Sequence, residues 1–407
     1  PITYSAPDPD LKLIDIDRIE LLRGPQGTLY GTGPIGGVVH IVTRQPDFTD
    51  ATLDVSLSRS TTKGGDPNTD YSATGNLPLF DGALAVRGSY YEETSGGYIN
   101  DVSLNLHHVN EGSRKGGRLA VAASVAPGWT VTAGGVHQSI STEDTHYVFR
   151  TLGGLQRANL VREPHRNDFD EAYVRLDGEA GWGRFGGSVA LIKHRFNSRY
   201  DASSALPAFG AFNRIGALDE IKDIDLLVGE LTLASPDSGR LRWLAGAYYS
   251  TSETQTDTAI SVVQTNPLTV YAETRRDTLE EGAIFGEVSY DITPDLTLTG
   301  GARAYTFDYG AGSDVSQRGV HRLFDGSGTN RGLSPKLALA WRINDRLNVY
   351  GQISQGHRTS GFNTAGPIGQ RFTGVVGSPA REYRADTLWN YETGAKATLW
   401  NGRVQAR

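Results

Sequence analysis

From about residue 52 onward, apolar and polar positions alternate one by one along the chain. Leu241, Trp243, Ala245, Ala247 and Tyr249 alternate with Arg242, Leu244, Gly246 and Tyr248. Leu296, Leu298, Gly300, Ala302 and Ala304 alternate with Thr297, Thr299, Gly301, Arg303 and Tyr305. Leu337, Leu339 and Trp341 alternate with Lys336, Ala338, Ala340 and Arg342, and Trp389, Tyr391, Thr393 and Ala395 with Asn390, Glu392, Gly394 and Lys396. A period of two is the signature of strands, because successive side chains of an extended backbone point to opposite faces. One face is apolar with aromatic ends, and the other carries charges, amides and glycine. No stretch of comparable length shows a helical period, so the pattern predicts an all-β protein.

The connections sort into two kinds. Short turns recur at Phe80-Asp81-Gly82, Ala126-Pro127-Gly128, Gly181-Trp182-Gly183, Pro236-Asp237-Ser238-Gly239, Thr293-Pro294-Asp295, Asn344-Asp345-Arg346 and Trp400-Asn401-Gly402. Each is built from residues that tight hairpins favour. Between them lie long polar links over 96–114, 142–168, 201–221, 255–275, 309–332 and 357–385, with a shorter first link at 61–70. Short strictly alternates with long. A soluble sandwich has no reason for that asymmetry, whereas an outer-membrane barrel has tight turns at one end and long loops at the other. A propeller would need four short strands per repeat instead of two long ones. The pattern therefore predicts an antiparallel transmembrane β-barrel, with about fourteen strands and Gly402–Arg407 opening a fifteenth, where closed bacterial barrels use even numbers.

Composition narrows this further. The 407 residues are 38% hydrophobic and 21% charged, which excludes a disordered chain. A net charge of −7 argues against a dedicated nucleic-acid surface. Absence of cysteine removes disulfide scaffolds, zinc ribbons and cysteine nucleophiles. Methionine is absent as well, and with the opening Pro1-Ile2-Thr3-Tyr4 and no leader this predicts an internal piece of a longer protein. No apolar run approaches the roughly 20 residues of a membrane-spanning helix. The mean hydropathy of −0.36 is compatible with a barrel, whose alternation averages out.

Residues before 48 differ. Ile14-Asp15-Ile16-Asp17-Arg18-Ile19-Glu20-Leu21-Leu22-Arg23-Gly24-Pro25-Gln26-Gly27-Thr28-Leu29-Tyr30-Gly31 runs into Gly36-Gly37-Val38-Val39-His40-Ile41-Val42-Thr43-Arg44 and Gln45-Pro46-Asp47. This resembles the end of the plug domain of TonB-dependent outer-membrane receptors and transporters, with Arg23, Gly24, Pro25, Gln26, Leu29, Tyr30, Gly31, Gly36 and Gly37 at the motif positions. Later segments resemble the family's barrel: Leu231–Pro236 with Arg242–Gly246, Ser334-Pro335-Lys336-Leu337, Gly356-His357-Arg358 with Gly361-Phe362-Asn363, and Trp389–Lys396. The resemblance implies 1–47 as the C-terminal part of a plug and 48–407 as the first two-thirds of a barrel of about twenty-two strands.

It also implies the function: energy-coupled uptake of a scarce ligand, such as a ferric siderophore or other metal chelate, across the outer membrane of a Gram-negative bacterium. The implied partners are the ligand, the lipid bilayer and an inner-membrane energy-transducing TonB complex, engaged through a coupling box outside this segment. A monomer without enzymatic activity, cofactor, resident metal or nucleic acid is expected. The alternative is an outer-membrane anchor barrel serving an adhesin or hydrolase, which has no need of a plug segment. Siderophore, haem, cobalamin, nickel chelate and oligosaccharide all remain open as ligand.

Gly31-Thr32-Gly33-Pro34-Ile35-Gly36 fits the dinucleotide fingerprint, but that motif works only as a strand-to-helix turn, and Val38–Thr43 predicts a strand instead. His107 and His108, being adjacent, point to opposite faces if extended. Asp168-Phe169-Asp170-Glu171 lacks the glycine turn of a calcium loop. By alternation Arg87, Glu287, Arg303, Lys336, Arg342, Glu392 and Lys396 face the lumen, most as a solvated lining. The resemblance implies that Arg23 meets a lumenal carboxylate, Glu392 or Glu287. In the links, Tyr147, Phe149, Arg150, Phe209, Phe212, Arg214, Phe324, His357, Arg358, Phe362 and Asn363 are candidate contacts for an anionic or aromatic ligand, by stacking and guanidinium bonding.

Overall fold

The computed structural model describes residues 9–33, 35–264, 267–363, 366–367, 381–399 and 404–406. The N-terminal segment forms β1 (Ile16–Arg23), a single helical turn α1 (Gly27–Tyr30) and β2 (Gly37–Thr43), with β1 and β2 paired antiparallel. A strand thus follows the glycine run, as the β-branched residues after it require.

Most of the rest is one antiparallel sheet of 15 strands in which each strand pairs with its neighbours in the chain, and two short pairs lie outside it, Asn100–Asp101 with Gln156–Arg157 and Gly361–Phe362 with Glu382–Tyr383. In order the strands of the sheet are β3 (Thr52–Thr61), β4 (Pro67–Leu79), β5 (Leu84–Ser95), β6 (Gly112–Ala126), β7 (Trp129–Thr142), β8 (His165–Ala180), β9 (Gly183–Asp201) and β10 (Gly216–Ala234). They continue with β11 (Leu241–Val262), β12 (Leu268–Thr293), β13 (Leu296–Gln317), β14 (Val320–Asn344), β15 (Leu347–Arg358), β16 (Asp386–Leu399) and β17 (Val404–Ala406). Strands β3 and β17 are its edges. The expected fifteenth strand is present, and its preceding turn at 400–402 lies outside the described residues.

Register converts the alternation into two surfaces. Ile284, Ala304 and Leu333 stand side by side on the outward face, as do Val288, Gly300, Leu337, Ile353 and Tyr391. The large members of these rows are exposed, which suits a wall that meets lipid. On the opposite face Glu287, Gly301, Lys336, Ser354 and Asn390 share one row, and Phe285, Arg303 and Ser334 another.

Two links differ from expectation. Residues 255–275 and 309–332 are largely strand: β11 and β12 pair out to Val262 and Leu268, and β13 and β14 meet at a two-residue turn, Arg318-Gly319. Beyond the apolar band both faces meet water, so the hydropathy contrast ends while the hydrogen-bond ladder continues. Polarity alone predicts loops there, but serine, threonine and cross-strand charge pairs such as Glu253–Arg276 sustain strands.

The surfaces predict a position-dependent cost. Ile284→Arg, in the outward apolar band, is expected to cost about 2–4 kcal/mol of folding free energy in a bilayer. Thr278→Arg, on the same face of β12 beyond the band, should cost about 0–1 kcal/mol. Urea titration of the full-length protein in lipid vesicles measures both.

Candidate functional site

The N-terminal segment lies against the inward face of the sheet through two buried polar contacts. The first centres on Asp15, whose carboxylate is 2% exposed. Arg87 of β5 donates to it through Nε at 2.8 Å and Nη2 at 2.5 Å, and Arg118 of β6 through Nη2 at 2.6 Å. Nearby, Lys12 pairs with Asp70 and Glu93. Gln138 of β7 accepts from the Lys12 amide at 3.0 Å, donates to the Pro9 carbonyl at 2.9 Å and accepts from the Tyr91 hydroxyl at 2.7 Å. Two strands thus supply the guanidinium charge that makes a buried carboxylate tolerable.

The second contact is the turn over 24–33. Gly24 and Gly31 have φ of +72° and +75°, a conformation that L side chains rarely adopt. A Cβ at Gly31 would also lie 3.0 Å from Arg303 Nη2. The same Nη2 donates to Glu281 Oε1 at 2.7 Å, both side chains being at most 3% exposed. Thr32 Oγ1 donates to the other oxygen of Glu281 at 3.1 Å and lies 3.3 Å from His357 Nε2. His357 Nδ1 lies 2.7 Å from the Ser334 hydroxyl. With Thr32 donating to Glu281, these bonds are satisfied together when His357 carries its proton on Nε2 and Ser334 donates. The imidazole stacks on Tyr305 at 3.8 Å and 11°. Arg303 lies over Tyr248 and Phe285, the rings against which Leu29 packs. Thr28 donates to the Ser334 carbonyl at 3.2 Å, and Pro25 rests on Gly356.

Arg87 and Arg303 are therefore exceptions to the solvated lining expected for most lumenal charges, being 6% and 1% exposed. The other motif residues fall close by. Gln26 Nε2 donates to the Arg23 carbonyl, Tyr30 meets the His40 ring edge-on at 6.1 Å, and the Gly24 amide donates to the Gly36 carbonyl. Gly27 is backed by the Gln355 carbonyl, and Gly37 has φ of +142°. Arg23 itself is exposed. Glu287 bonds to Lys336 at 2.8 Å, and Glu392 accepts from the Tyr350 hydroxyl at 2.8 Å. A side chain added at the neighbouring Gly24 would lie 3.1 Å from Asn390 and 3.9 Å from Glu392. Among the remaining lumenal candidates, Arg342 pairs with Asp295 at 2.8 Å and Lys396 is exposed.

The candidates in the links do not gather in one place. Tyr147 belongs to a clamp built on Arg157, which is fully buried with Asp101 and Asp144 as partners and Glu163 at 3.6 Å. Tyr147 donates to Glu163 at 2.8 Å and accepts from Asn159 at 2.8 Å, and Phe149 packs beside it at 5.8 Å. Burial, chiefly, pushes the Tyr147 hydroxyl up to about 12. Arg150 is exposed. Phe209 is buried with Leu206, Val262, Val270, Tyr271 and Val315, while Phe212 and Arg214 are exposed. His357 lies at the contact with Thr32, and Arg358 pairs with Asp386 at 2.7 Å.

Three candidates do come together. Phe324 and Phe362 meet edge-on at 5.4 Å, Tyr309 packs on Phe362 at 5.7 Å, and the Asn363 amide donates to the Arg381 carbonyl. Arg381 lies 3.6 Å over the Phe324 ring. Arg275 donates to the Phe362 carbonyl at 2.8 Å and to Asp277. Burial first, then the charges of Arg322 and Arg275, lower the proton affinity of Arg381. A guanidinium held beside two others over aromatic rings suits a planar anion.

Reading by sequence missed Asp15, Arg118, Glu281 and Thr32, the Arg157 clamp, and Arg275 with Arg381. Glu281 shares the parity of Glu287 on β12, so alternation could have found it. The others depend on contacts between residues far apart in the chain.

A 15-stranded antiparallel sheet with an apolar outer face and a polar inner face, against which the N-terminal segment docks, is the wall of a transmembrane-type β-barrel. Residues 44–407 match the profile of the TonB dependent receptor-like β-barrel, and the chain belongs to that family. It is similar to the pesticin receptor of Yersinia enterocolitica, 23% identical over 402 residues that cover 97% of this chain and 55% of that protein. A segment of 127 residues is 34% identical to the ferric enterobactin receptor PirA of Pseudomonas aeruginosa, covering 29% and 16% of the two chains. Among solved structures it is similar to the ferric yersiniabactin uptake receptor FyuA of Yersinia pestis, with a TM-score of 0.80 at 18% identity, covering 94% and 57%. The siderophore receptor PiuA of Acinetobacter baumannii gives 0.71 at 13%, covering 96% and 61%. The chain thus spans about half the length of the curated pesticin receptors it matches.

Two outcomes follow from these contacts. Asp15→Asn removes the charge that compensates Arg87 and Arg118, and should destabilise the docked segment by about 3–5 kcal/mol. Faster protease cleavage within 9–47 in the folded full-length protein is the readout. Arg157→Met should likewise expose the links 96–114 and 142–168 to cleavage. The neutral Tyr147 hydroxyl is the form the fold favours, so its contribution is complete below the ordinary phenol range and lost as pH rises through about 12. Cleavage of these links in the wild type should therefore accelerate only toward that pH.

Proposed function

We propose that this chain is part of an energy-coupled outer-membrane receptor that takes up a scarce ligand, with a ferric siderophore or similar metal chelate as the favoured class. In this reading residues 1–47 are the end of the plug and 48–407 the first two-thirds of the barrel, in the outer membrane of a Gram-negative bacterium. The observation that carries it is the docked N-terminal segment, tied by Asp15 and Thr32 to charged groups buried in the sheet. A barrel that only anchors an adhesin or hydrolase needs no such occupant. The names of the similar proteins, receptors for ferric yersiniabactin and ferric enterobactin among them, support a ferric chelate.

The ligand would meet the surface at the long-link end of the sheet. Arg381 over the Phe324 ring, with Phe362 and Arg275 beside it, would offer stacking and positive charge to an anionic, aromatic chelate. An inner-membrane TonB complex would pull on the plug and break its buried contacts in turn. Arg23, whose chain neighbour Gly24 lies near Glu392, would exchange onto that carboxylate as the segment shifts. No step in this reading makes or breaks a covalent bond, so the protein acts as a transporter.

Uptake of a panel of radiolabelled ferric chelates by cells carrying the full-length receptor tests this. Accumulation should stop when the inner-membrane proton gradient is collapsed, and uptake that persists would sink the proposal. In equilibrium binding, Arg381→Ala should weaken the transported chelate about fivefold to thirtyfold, the range of a desolvated cation–π contact. Reversing both charges, Arg23→Glu with Glu392→Arg, should transport better than either single change.

A further inference from the structure

The register of β5 to β8 creates a depression in the outward wall. One row there reads Tyr90, Gly117, His137 and Asp170. The next toward the short turns reads Gly88, Leu119, Gly135 and Ala172, and the third Val86, Val121, Ala133 and Val174. Further round, the same wall carries Leu191, Leu231, Ile284 and Leu333, all exposed. Here Gly117, Gly135 and Ala133 leave an open, largely apolar groove of about 760 Å³, walled by Tyr90, Leu119 and Val121.

Arg118 and Glu171, in the row between Gly117–His137 and Leu119–Gly135, border the groove, and its remaining charge lies at one end. Lys115 and His137 line that end, on the side of the long links. Asp170 fixes the His137 ring through Nδ1 at 2.7 Å, so Nε2 is left without a protein partner among the described residues. Glu92, the cross-strand neighbour of Lys115, is engaged by the hydroxyls of Tyr71 and Tyr90. The Lys115 ammonium makes no ion pair among the described residues, and its side chain is exposed. An apolar channel that ends in an ammonium and an imidazole matches one molecule type that a lipid-facing wall meets: an acyl chain joined to a phosphate.

We propose that this groove binds a phosphorylated lipid of the leaflet on the long-link side, one acyl chain lying over Gly117, Gly135 and Ala133 and the phosphate on Lys115 and His137. The proposal rests on the membrane placement given above and is independent of ligand uptake. A lipid seated there would fill the wall beside Arg118, whose guanidinium holds Asp15 on the other face of β6.

Native mass spectrometry of the detergent-purified full-length receptor, titrated with bis-phosphorylated lipid A and with its dephosphorylated form, tests this. The wild type should retain the phosphorylated lipid in preference. Lys115→Ala should weaken retention about fivefold, the contribution of one basic residue at an anionic lipid surface. Ala133→Phe fills the groove without altering charge and should weaken retention as well. Arg331→Ala, outward on β14 and far from the groove, should behave as the wild type. Equal retention by the wild type, Lys115→Ala and Ala133→Phe, or equal retention of both lipids, would overturn the proposal. A heat-modifiable electrophoretic shift establishes that each variant is folded, and Ala133→Leu replaces Ala133→Phe if the larger side chain prevents folding.

Discussion

Burial of charge between the N-terminal segment and the sheet is the constraint on which the rest depends. Asp15 and Glu281 lie out of water, and each is acceptable only because an arginine on a barrel strand reaches it. Asp15 and its arginines lie on opposite sides of the boundary between segment and sheet, so neither can be removed alone, whereas Glu281 and Arg303 both belong to the sheet and receive Thr32. The Asp15 pair therefore specifies where the segment docks more than it stabilises it. Around these contacts the apolar contacts of Leu29, Pro25 and the stacked Tyr305–His357 pair supply packing that charge cannot.

The same economy of position governs the two faces of the sheet. The alternation of period two places every second residue toward lipid and the others toward the lumen, so a single strand carries Glu281, Phe285 and Glu287 on one side and Ile284 and Val288 on the other. Beyond the apolar band the outward face turns to charge pairs such as Arg199–Asp219 and Arg276–Glu253, which water screens and which contribute little individually. Inward, at the long-link end, side chains are drawn into separate small clusters. The Arg157 clamp and the Leu206–Phe209 cluster hold links to links, and the Phe324–Phe362 pair gathers arginines instead.

Much of this was legible beforehand, for a local reason. Strand alternation, tight turns and the glycine-rich motif after Arg23 are set by short-range sterics, so β3 to β17 and the strand after Gly36 could be read from residue order. The parity of a position also places Arg87, Arg303 and Glu287 on the inner face. Parity does not say which inner residue finds which. Glu287 takes Lys336 from the strand two along, while Arg303 takes Glu281 from the adjacent one. The polar stretches at 255–275 and 309–332 misled for a complementary reason: hydropathy reports the solvent around a strand, and there the solvent is the same on both sides.

The sequence by itself determined an all-β chain of paired hairpins, the lipid-facing and lumen-facing identity of its residues, and a distinct segment before the first hairpin. These follow from interactions between residues a few positions apart. The tertiary structure alone decided that Asp15, and Thr32 through Glu281, hold the segment down. It also sent Tyr147 and Phe209 into link-to-link packing, left Phe324 with Phe362 beside Arg381, and set Gly117 against His137 on the outer wall. Each of those pairings joins residues tens to hundreds of positions apart, and such contacts exist only once strand register has been fixed across the whole sheet.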